Sequence, residues 1–197
     1  MKVHPYIARS DVECYQLDTL SVRQGRLVYT DERPGDRDAQ GVLWARQVMK
    51  HGQGQPVFGK IQVARQRHAC IALLCQVCGG EPDENDDGIL WLLPFSSGPQ
   101  PPLHARVDEV TTCYPPICRT CCAMALRMCP PLRAGHMILR VTDVGPPAEV
   151  QGCLHDGQGN PVGNDDQAFA FDDPRLPLVL ATHQLIRLHD SLIVAHA

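Results

Sequence analysis

The sequence has few aromatic residues, little charge and no long hydrophobic run, and each of these features excludes a class of protein. Aromatic residues make up only 5% of the 197 residues. They form no run interleaved with basic residues, which argues against a surface that stacks single-stranded nucleic acid. Charged residues make up 20%, too little for an intrinsically disordered chain. The net charge of -4 argues against a strongly basic coat for nucleic acid.

Hydrophobic segments long enough for a membrane helix are missing as well. No segment reaches the roughly 18 to 20 continuous apolar residues that a membrane-spanning helix needs. The first part of the chain carries Asp11, Glu13 and Asp18 and lacks the apolar stretch of a secretory signal. The sequence therefore predicts a cytoplasmic protein that does not enter a membrane.

The remaining composition is typical of a folded protein with short elements. Hydrophobic residues make up 44% of the chain, which also has 17 prolines and 16 glycines, so we expect a sizeable core and many loops. Strands are predicted at 26–30, 42–48, 89–93, 104–112, 137–144 and 149–154. The first two are expected to form a hairpin and the last two to pair with each other.

Helices are predicted in three places. One covers residues 61–74, and a second opens at Cys118 and ends before Pro130. A third is expected to end the chain, with Asp173 as its N-cap and Pro174 as its first residue. Five residues of the first helix recur at helical spacing and are expected to form its buried face: Ile61, Ala64, His68, Ile71 and Leu74.

Cysteine is abundant, with ten residues, and in a cytoplasmic protein this favours metal binding over disulfides. Cys75 and Cys78 form one C-x-x-C pair, and Cys118 and Cys121 form another after 39 intervening residues. Four thiolates from two such turns match tetrahedral zinc, with Zn–S distances of about 2.3 Å. A closed four-cysteine site stabilises a fold and has no open position for catalysis. Reduced or redox-active thiols are the alternative.

The order of these elements resembles a known family. A C-x-x-C turn, a strand-rich middle and a second C-x-x-C that opens a helix look like a treble-clef zinc finger. Residues 62–130 resemble the HNH endonucleases with four zinc cysteines, and the segment ILWLLPFSSG matches that family at Pro94, Ser96 and Gly98. However, Leu90 stands where the family has an Asp, and Trp91 where it has the general-base His. The resemblance thus implies the scaffold without the nuclease.

The whole chain also resembles small uncharacterised proteins of actinomycetes that contain RQR…LCQVCGG, DGxLWLL and PPxCxxC segments. This second resemblance implies no particular activity.

Further metal ligands are candidates elsewhere in the chain. Cys113 lies five residues before Cys118 and could add or replace a ligand, and Cys153 and His155 have the spacing of a ligand pair on a strand. Buried, reduced thiols are the alternative. A turn with three aspartates could bind a hard cation, although a solvated turn is favoured: Asp31, Asp36 and Asp38.

A local basic patch is conceivable despite the acidic total charge. It would form if basic residues on the two central helices converge, which could create a DNA-contacting face, whereas ordinary solvated side chains are the alternative. These residues are Arg65, Arg67, His68, Arg119, Arg127 and Arg133.

Together these observations predict an α+β protein with a treble-clef zinc centre, flanking β-hairpins and a C-terminal helix. We expect one domain over 1–197, with its zinc core at 62–130 and further elements at 1–61 and 131–197. The predicted function is a zinc-stabilised, non-catalytic binding or accessory protein whose partner is DNA or another protein.

Two enzymatic alternatives stay open at this point. One is an enzyme of specialised metabolism whose site lies outside the zinc core, built from the N-terminal hairpin, residues 104–113 and the C-terminal segment. The other is a metal-dependent nuclease with relocated catalytic residues such as His104 and Asp108.

Overall fold

The structure is a computed structural model that describes residues 4–16, 20–95 and 102–196. Within these ranges the chain forms twelve strands, three α-helices and one short 3-10 turn, Leu176–Leu178. The strands are β1 Ala8–Ser10, β2 Leu20–Arg23, β3 Arg26–Tyr29, β4 Leu43–Trp44, β5 Pro56–Ile61, β6 Glu84–Asn85, β7 Gly88–Pro94, β8 Arg106–Thr112, β9 His136–Val144, β10 Glu149–His155, β11 Pro161–Ala170 and β12 Val179–His196. The helices are α1 Val63–Ile71, α2 Arg119–Met128 and α3 Pro130–Ala134.

One large sheet dominates the part of the chain that the structure describes. Eight strands join it in the order β11-β10-β12-β9-β7-β6, and β4 and β8 also pair with β12. The first half of β12 lies antiparallel to β10, with Ala181 opposite Gly152. Its second half lies between β8 and β9, where Leu188 is opposite both Val110 and Val144. The long strand β12 therefore connects all parts of the sheet.

The predicted C-terminal helix is wrong, because residues Val179–His196 form the 18-residue strand β12. Asp173 and Pro174, which were predicted to begin this helix, have a different structural role. The Asp173 carboxylate accepts a hydrogen bond from the backbone N–H of Arg175 at 2.8 Å. The chain then makes only the 3-10 turn before it extends.

The burial pattern of β12 explains this difference. Ile186 and Leu188 are completely buried, whereas Arg187 and His189 between and beside them are partly exposed. A period of two residues is that of a strand, because successive side chains point to opposite faces of a sheet. A helix would leave the sheet without its central strand.

The predicted fold class, an α+β protein centred on a treble clef with flanking hairpins, is wrong as well, since the described chain is mostly β-sheet. The strands predicted at 89–93, 104–112 and 137–144 are confirmed as β7, β8 and β9, but several pairings differ. β3 pairs with β2 rather than with 42–48, and β10 pairs with β11 and β12 rather than with β9. The β2–β3 and β10–β11 pairs are hairpins of consecutive strands, whereas the pairing of β10 with β12 joins more distant segments.

Strand β7 divides the apolar core because it is buried on both faces. Leu90 and Leu92 belong to one cluster, and Trp91 and Leu93 belong to another that packs against β9 and β12. This alternation follows from the opposite directions of successive side chains in a strand. We call the first group the α2-side cluster, and its buried members are Cys75, Leu90, Leu92, Ile117, Cys121, Cys122 and Leu132.

The first predicted helix is confirmed as α1, but the face predicted to be buried is wrong. The buried residues of α1 are Val63, Arg65, Gln66, Ala69 and Cys70. Arg65 lies 2.6 Å from the fully buried carboxylate of Glu13. A charged residue can occupy the interior here because its partner comes from the N-terminal segment. No helix among the described residues is both long and apolar enough to cross a membrane.

Candidate metal centre

The first cysteine pair lies in a tight turn that follows α1. The N–H of Gly79 donates to the carbonyl oxygen of Cys75 at 2.8 Å, and the N–H of Cys75 donates to that of Gly80 at 2.7 Å. Gly79 has a φ of 71°, and a Cβ at this position would lie 2.9 Å from the ring of Tyr6. The turn therefore requires glycine directly after Cys78.

The second pair lies at the start of α2. Cys118 is the N-cap residue, and its side chain makes no capping hydrogen bond. Cys121 follows three residues later, which places it on the same side of the first turn. The N-terminus of a helix favours negative charge, so this position suits a thiolate.

The fold brings these two pairs together. The sulfur atoms of Cys75, Cys78, Cys118 and Cys121 all lie within 4.8 Å of one another. Four sulfurs at about 2.3 Å from one tetrahedral ion would be about 3.8 Å apart. The sulfurs thus need only small movements to surround a metal ion, and the cluster is compatible with metal binding.

Backbone N–H groups around the cluster favour thiolates. The N–H of Cys118 donates to Sγ of Cys75 at 3.3 Å. Burial raises the pKa of Cys75, and the N–H groups of Cys78, Cys118 and Val77 act against this shift. Burial also opposes ionisation of Cys78, but the N–H of Gly80 and the three neighbouring thiols outweigh it and lower its pKa. Such donors stabilise the charged sulfurs that a metal ion requires.

Asp83 connects the cysteine turns to the sheet through hydrogen bonds. Its N–H donates to the carbonyl oxygen of Ile117 at 3.1 Å, and its own carbonyl oxygen accepts the N–H of Leu90 at 2.8 Å. Its carboxylate accepts a hydrogen bond from the buried guanidinium of Arg140, which lowers the pKa of Asp83. The sequence analysis missed this residue, because its partner lies 57 positions away and only the acidic run around it is visible.

The other candidate metal ligands do not form a group of this kind. Within the described residues, the four-cysteine cluster is the one group of at least three His, Cys, Asp or Glu residues whose ligand atoms come together. Cys113 lies outside it. Cys153 and His155 are both buried on β10, where Nδ1 of His155 lies 3.1 Å from the carbonyl oxygen of Cys153. No third ligand joins them within the described ranges.

The two positions that the predicted resemblance aligned with catalytic residues of HNH endonucleases have structural roles. Leu90 and Trp91 are buried on opposite faces of β7, and the indole N–H of Trp91 donates to the carbonyl oxygen of Tyr114 at 2.8 Å. Pro94 ends β7. Ser96 and Gly98, which also carried the resemblance, lie outside the described residues.

His104 and Asp108, the candidates for relocated nuclease residues, lie outside the four-cysteine cluster. His104 precedes β8 in the left-handed region, with a φ of 63°, and Asp108 lies on β8. Both side chains are exposed. Neither belongs to a group of three ligands among the residues described here.

The carboxylates of the acidic turn form ion pairs and hydrogen bonds within the chain. They belong to Asp31, Asp36 and Asp38. Arg46, almost fully buried, lies 2.8 Å from Asp31 and 2.6 Å from Asp36. Asp38 accepts the N–H of Val42 at 2.9 Å and the indole N–H of Trp44 at 2.9 Å. The carboxylates therefore order the loop and hold Arg46.

One residue of the predicted basic patch is removed from the surface. Arg65 is buried against Glu13, so its guanidinium is unavailable to phosphates. Arg119 lies 3.4 Å from Asp83 but its side chain is 75% exposed, and the Arg67 guanidinium lies 4.8 Å from the centre of the Trp44 ring.

The alternative enzyme site outside the zinc core was predicted to include residues 104–113. A cavity of about 420 Å³ borders this region. Residues 110–114 line it together with Gln151 of β10 and Leu185 of β12. Its lining contains no His, Asp, Glu, Lys or Arg. Burial raises the pKa of its Cys113 to about 11, so this thiol is a poor nucleophile at neutral pH.

Comparison with protein-family models, with curated proteins and with solved structures found no match to this chain.

Proposed function

We propose that this chain is a zinc-stabilised binding protein that acts without catalysis. The observation that carries the proposal is the convergence of the four sulfurs of Cys75, Cys78, Cys118 and Cys121 within 4.8 Å. Four thiolates are the donor set of structural zinc sites, and they leave no coordination position for water or substrate. When bound, the ion would cross-link the turn after α1 to the start of α2.

The surroundings of the centre support a structural role. Cys75 is completely buried in the α2-side cluster, so the ion would lie at the edge of the core. Loss of the metal would remove this cross-link together with the folding free energy that its binding contributes. The order of cysteine turn, β6–β7 hairpin and α2 supports a relation to HNH-type proteins, in which Leu90 and Trp91 have replaced the reacting groups.

A protein partner fits the charges better than DNA. The chain carries 22 acidic and 18 basic residues, and Arg65, one of the candidate basic residues, is buried against Glu13. Binding of duplex DNA depends on several free Lys and Arg side chains that displace counterions. We therefore propose a protein partner.

Metal analysis combined with two DNA assays tests this function. We expect about one zinc per chain, no plasmid cleavage with added Mg²⁺ or Mn²⁺, and no retardation of a duplex at moderate salt. Cleavage that Mg²⁺ stimulates would overturn the non-catalytic proposal. Retardation that weakens steeply with salt would instead assign DNA as the partner.

A further inference from the structure

A second cavity, with a mainly apolar lining, lies directly beside the cysteine cluster. Its volume is about 140 Å³, and it lies between β5, the turn after α1 and the helices α2 and α3. Val77, which lies between two of the cysteines, forms part of one wall, and Met124 and Met128 of α2 form part of another. Met128 is 47% exposed and Phe58 of β5 is 42% exposed, so the cavity opens to solvent.

The size of this cavity limits what it can hold. An engineered protein cavity of about 150 Å³ with an apolar lining binds one benzene molecule. A cavity of about 140 Å³ therefore accommodates about six carbons, and because it opens to solvent the polar end of a slightly longer chain can lie at the opening. The two methionines favour a flexible fit, because their side chains adapt to irregular shapes.

The charged side chain among the described lining residues is a cation. Lys60 of β5 is exposed and contributes a positive charge, and the lining contains no Asp or Glu. The amide N–H₂ of Gln76 is already used, since it donates to the carbonyl oxygens of Leu92 at 3.2 Å and Pro115 at 3.0 Å.

Tyr114 supplies a second donor. Its hydroxyl has no hydrogen-bond partner among the described residues, and the half-buried side chain lines the cavity. Burial and the neighbouring Cys113 and Cys129 raise its pKa to about 12, so it remains a neutral O–H donor. An ammonium and a hydroxyl donor beside an apolar cavity are complementary to a carboxylate with a short apolar body.

We propose that this cavity binds a small apolar carboxylate, such as a medium-chain fatty acid of about eight carbons, with its chain between β5 and α2 and its carboxylate towards Lys60 and Tyr114. This ligand goes beyond the proposed function and does not depend on the identity of the protein partner. A second copy of the chain fits less well, because the cavity admits only a single small apolar group.

The site is connected to the metal centre through its walls. Val77 lies within the first cysteine pair, and Met124 and Ala125 follow Cys121 by one turn of α2. A metal ion that fixes the turn relative to α2 would therefore also fix the width of the cavity. We expect removal of zinc to abolish carboxylate binding.

Calorimetric titration of octanoate into zinc-loaded protein tests the proposal, with the metal content measured beforehand. We expect one site per chain, with binding at least tenfold tighter for octanoate than for octanol. Lys60→Met should weaken octanoate binding by about tenfold, because it removes the cation at the opening. Lys50→Met is the matched control, since Lys50 is also an exposed lysine but does not line the cavity.

A second variant tests where the ligand lies. Ala125→Phe would fill part of the cavity from α2, so octanoate binding should be lost while zinc content is retained. No binding by zinc-loaded protein at millimolar octanoate, equal binding of octanol, or unchanged affinity in Lys60→Met would each overturn the proposal. A zinc-free preparation would instead contradict the proposed function. A chain that is dimeric, binds no octanoate and becomes monomeric in Ala125→Phe would assign the cavity to a second copy and also overturn it.

Discussion

The backbone N–H of Cys118 donates a hydrogen bond to Sγ of Cys75 at 3.3 Å, across 43 positions of sequence. The bond joins the first residue of one cysteine turn to the start of α2 before any metal is considered. Because an N–H donor stabilises negative charge on sulfur, this contact prepares Cys75 to act as a thiolate ligand. It links the two C-x-x-C pairs directly.

Replacement of one ligand should therefore unfold the protein. We expect Cys118→Ser to lose zinc and to aggregate or unfold, because binding of structural zinc contributes folding free energy. Thermal unfolding and metal content measure the effect. Cys14→Ser is the control, since Cys14 is exposed and outside the cluster, and its unfolding free energy should change by less than about 0.5 kcal/mol. A near-wild-type melting temperature for Cys118→Ser would refute the site.

Acid should destabilise the protein through Glu13. Burial alone would raise the pKa of this carboxyl, but hydrogen bonds from Arg65 and from the N–H groups of Ser10 and Lys50 outweigh burial and lower it to about 2. A lowered pKa stabilises the fold above the unfolded value of 4.5, and this stabilisation is lost as the pH falls towards 2.

The comparison of wild type with Glu13→Gln isolates this effect, because both proteins keep the same cysteine cluster. We expect the variant to be less stable by about 3 kcal/mol at pH 7. The difference should shrink as the pH falls below about 4.5. Denaturant unfolding at several pH values measures it. A difference that stays constant down to pH 3 would contradict the role assigned to Glu13.

The hairpin between β6 and β7 should require glycine at position 88. Gly88 has a φ of 106°, and a Cβ there would lie 2.3 Å from the carbonyl oxygen of Val141 on β9. Gly88→Ala should therefore destabilise the protein by about 2 to 3 kcal/mol. Gly157→Ala is the control, because nothing lies within 4 Å of its Cβ position. Equal unfolding free energies for the two variants would argue against this close approach.

The ion pair between Asp83 and Arg140 should contribute to stability and to metal retention. Asp83→Ala leaves the Arg140 guanidinium, whose side chain is only 8% exposed, without its carboxylate. We expect a loss of about 3 kcal/mol and faster zinc release to a chelator. Asp86→Ala, an exposed residue of the same loop, serves as control. If both variants release zinc at the wild-type rate, Asp83 does not position the cysteines.

The sequence predicted the parts of the site that depend on local chemistry. The geometry of each C-x-x-C pair depends on a few neighbouring residues, namely Gly79 after the first pair and a helix at the second. The convergence of the two pairs could therefore be inferred from their spacing. The strand β7 was also visible as a short apolar run bounded by turn residues.

Long-range pairing limited the rest of the prediction. The segment from Val179 to His196 contains apolar residues at spacings of both two and four, so it is compatible with a strand or a helix. Only its neighbours β4, β8, β9 and β10 decide in favour of a strand. Likewise, Arg65 could be placed inside only with knowledge of Glu13, which lies 52 positions earlier.

X-ray absorption at the zinc edge of the purified protein tests the central claim most directly. The account predicts about one zinc per chain, surrounded by four sulfur atoms at about 2.3 Å. A protein that folds without tightly bound metal, or a zinc ion with nitrogen or oxygen among its ligands, would contradict the assignment of Cys75, Cys78, Cys118 and Cys121.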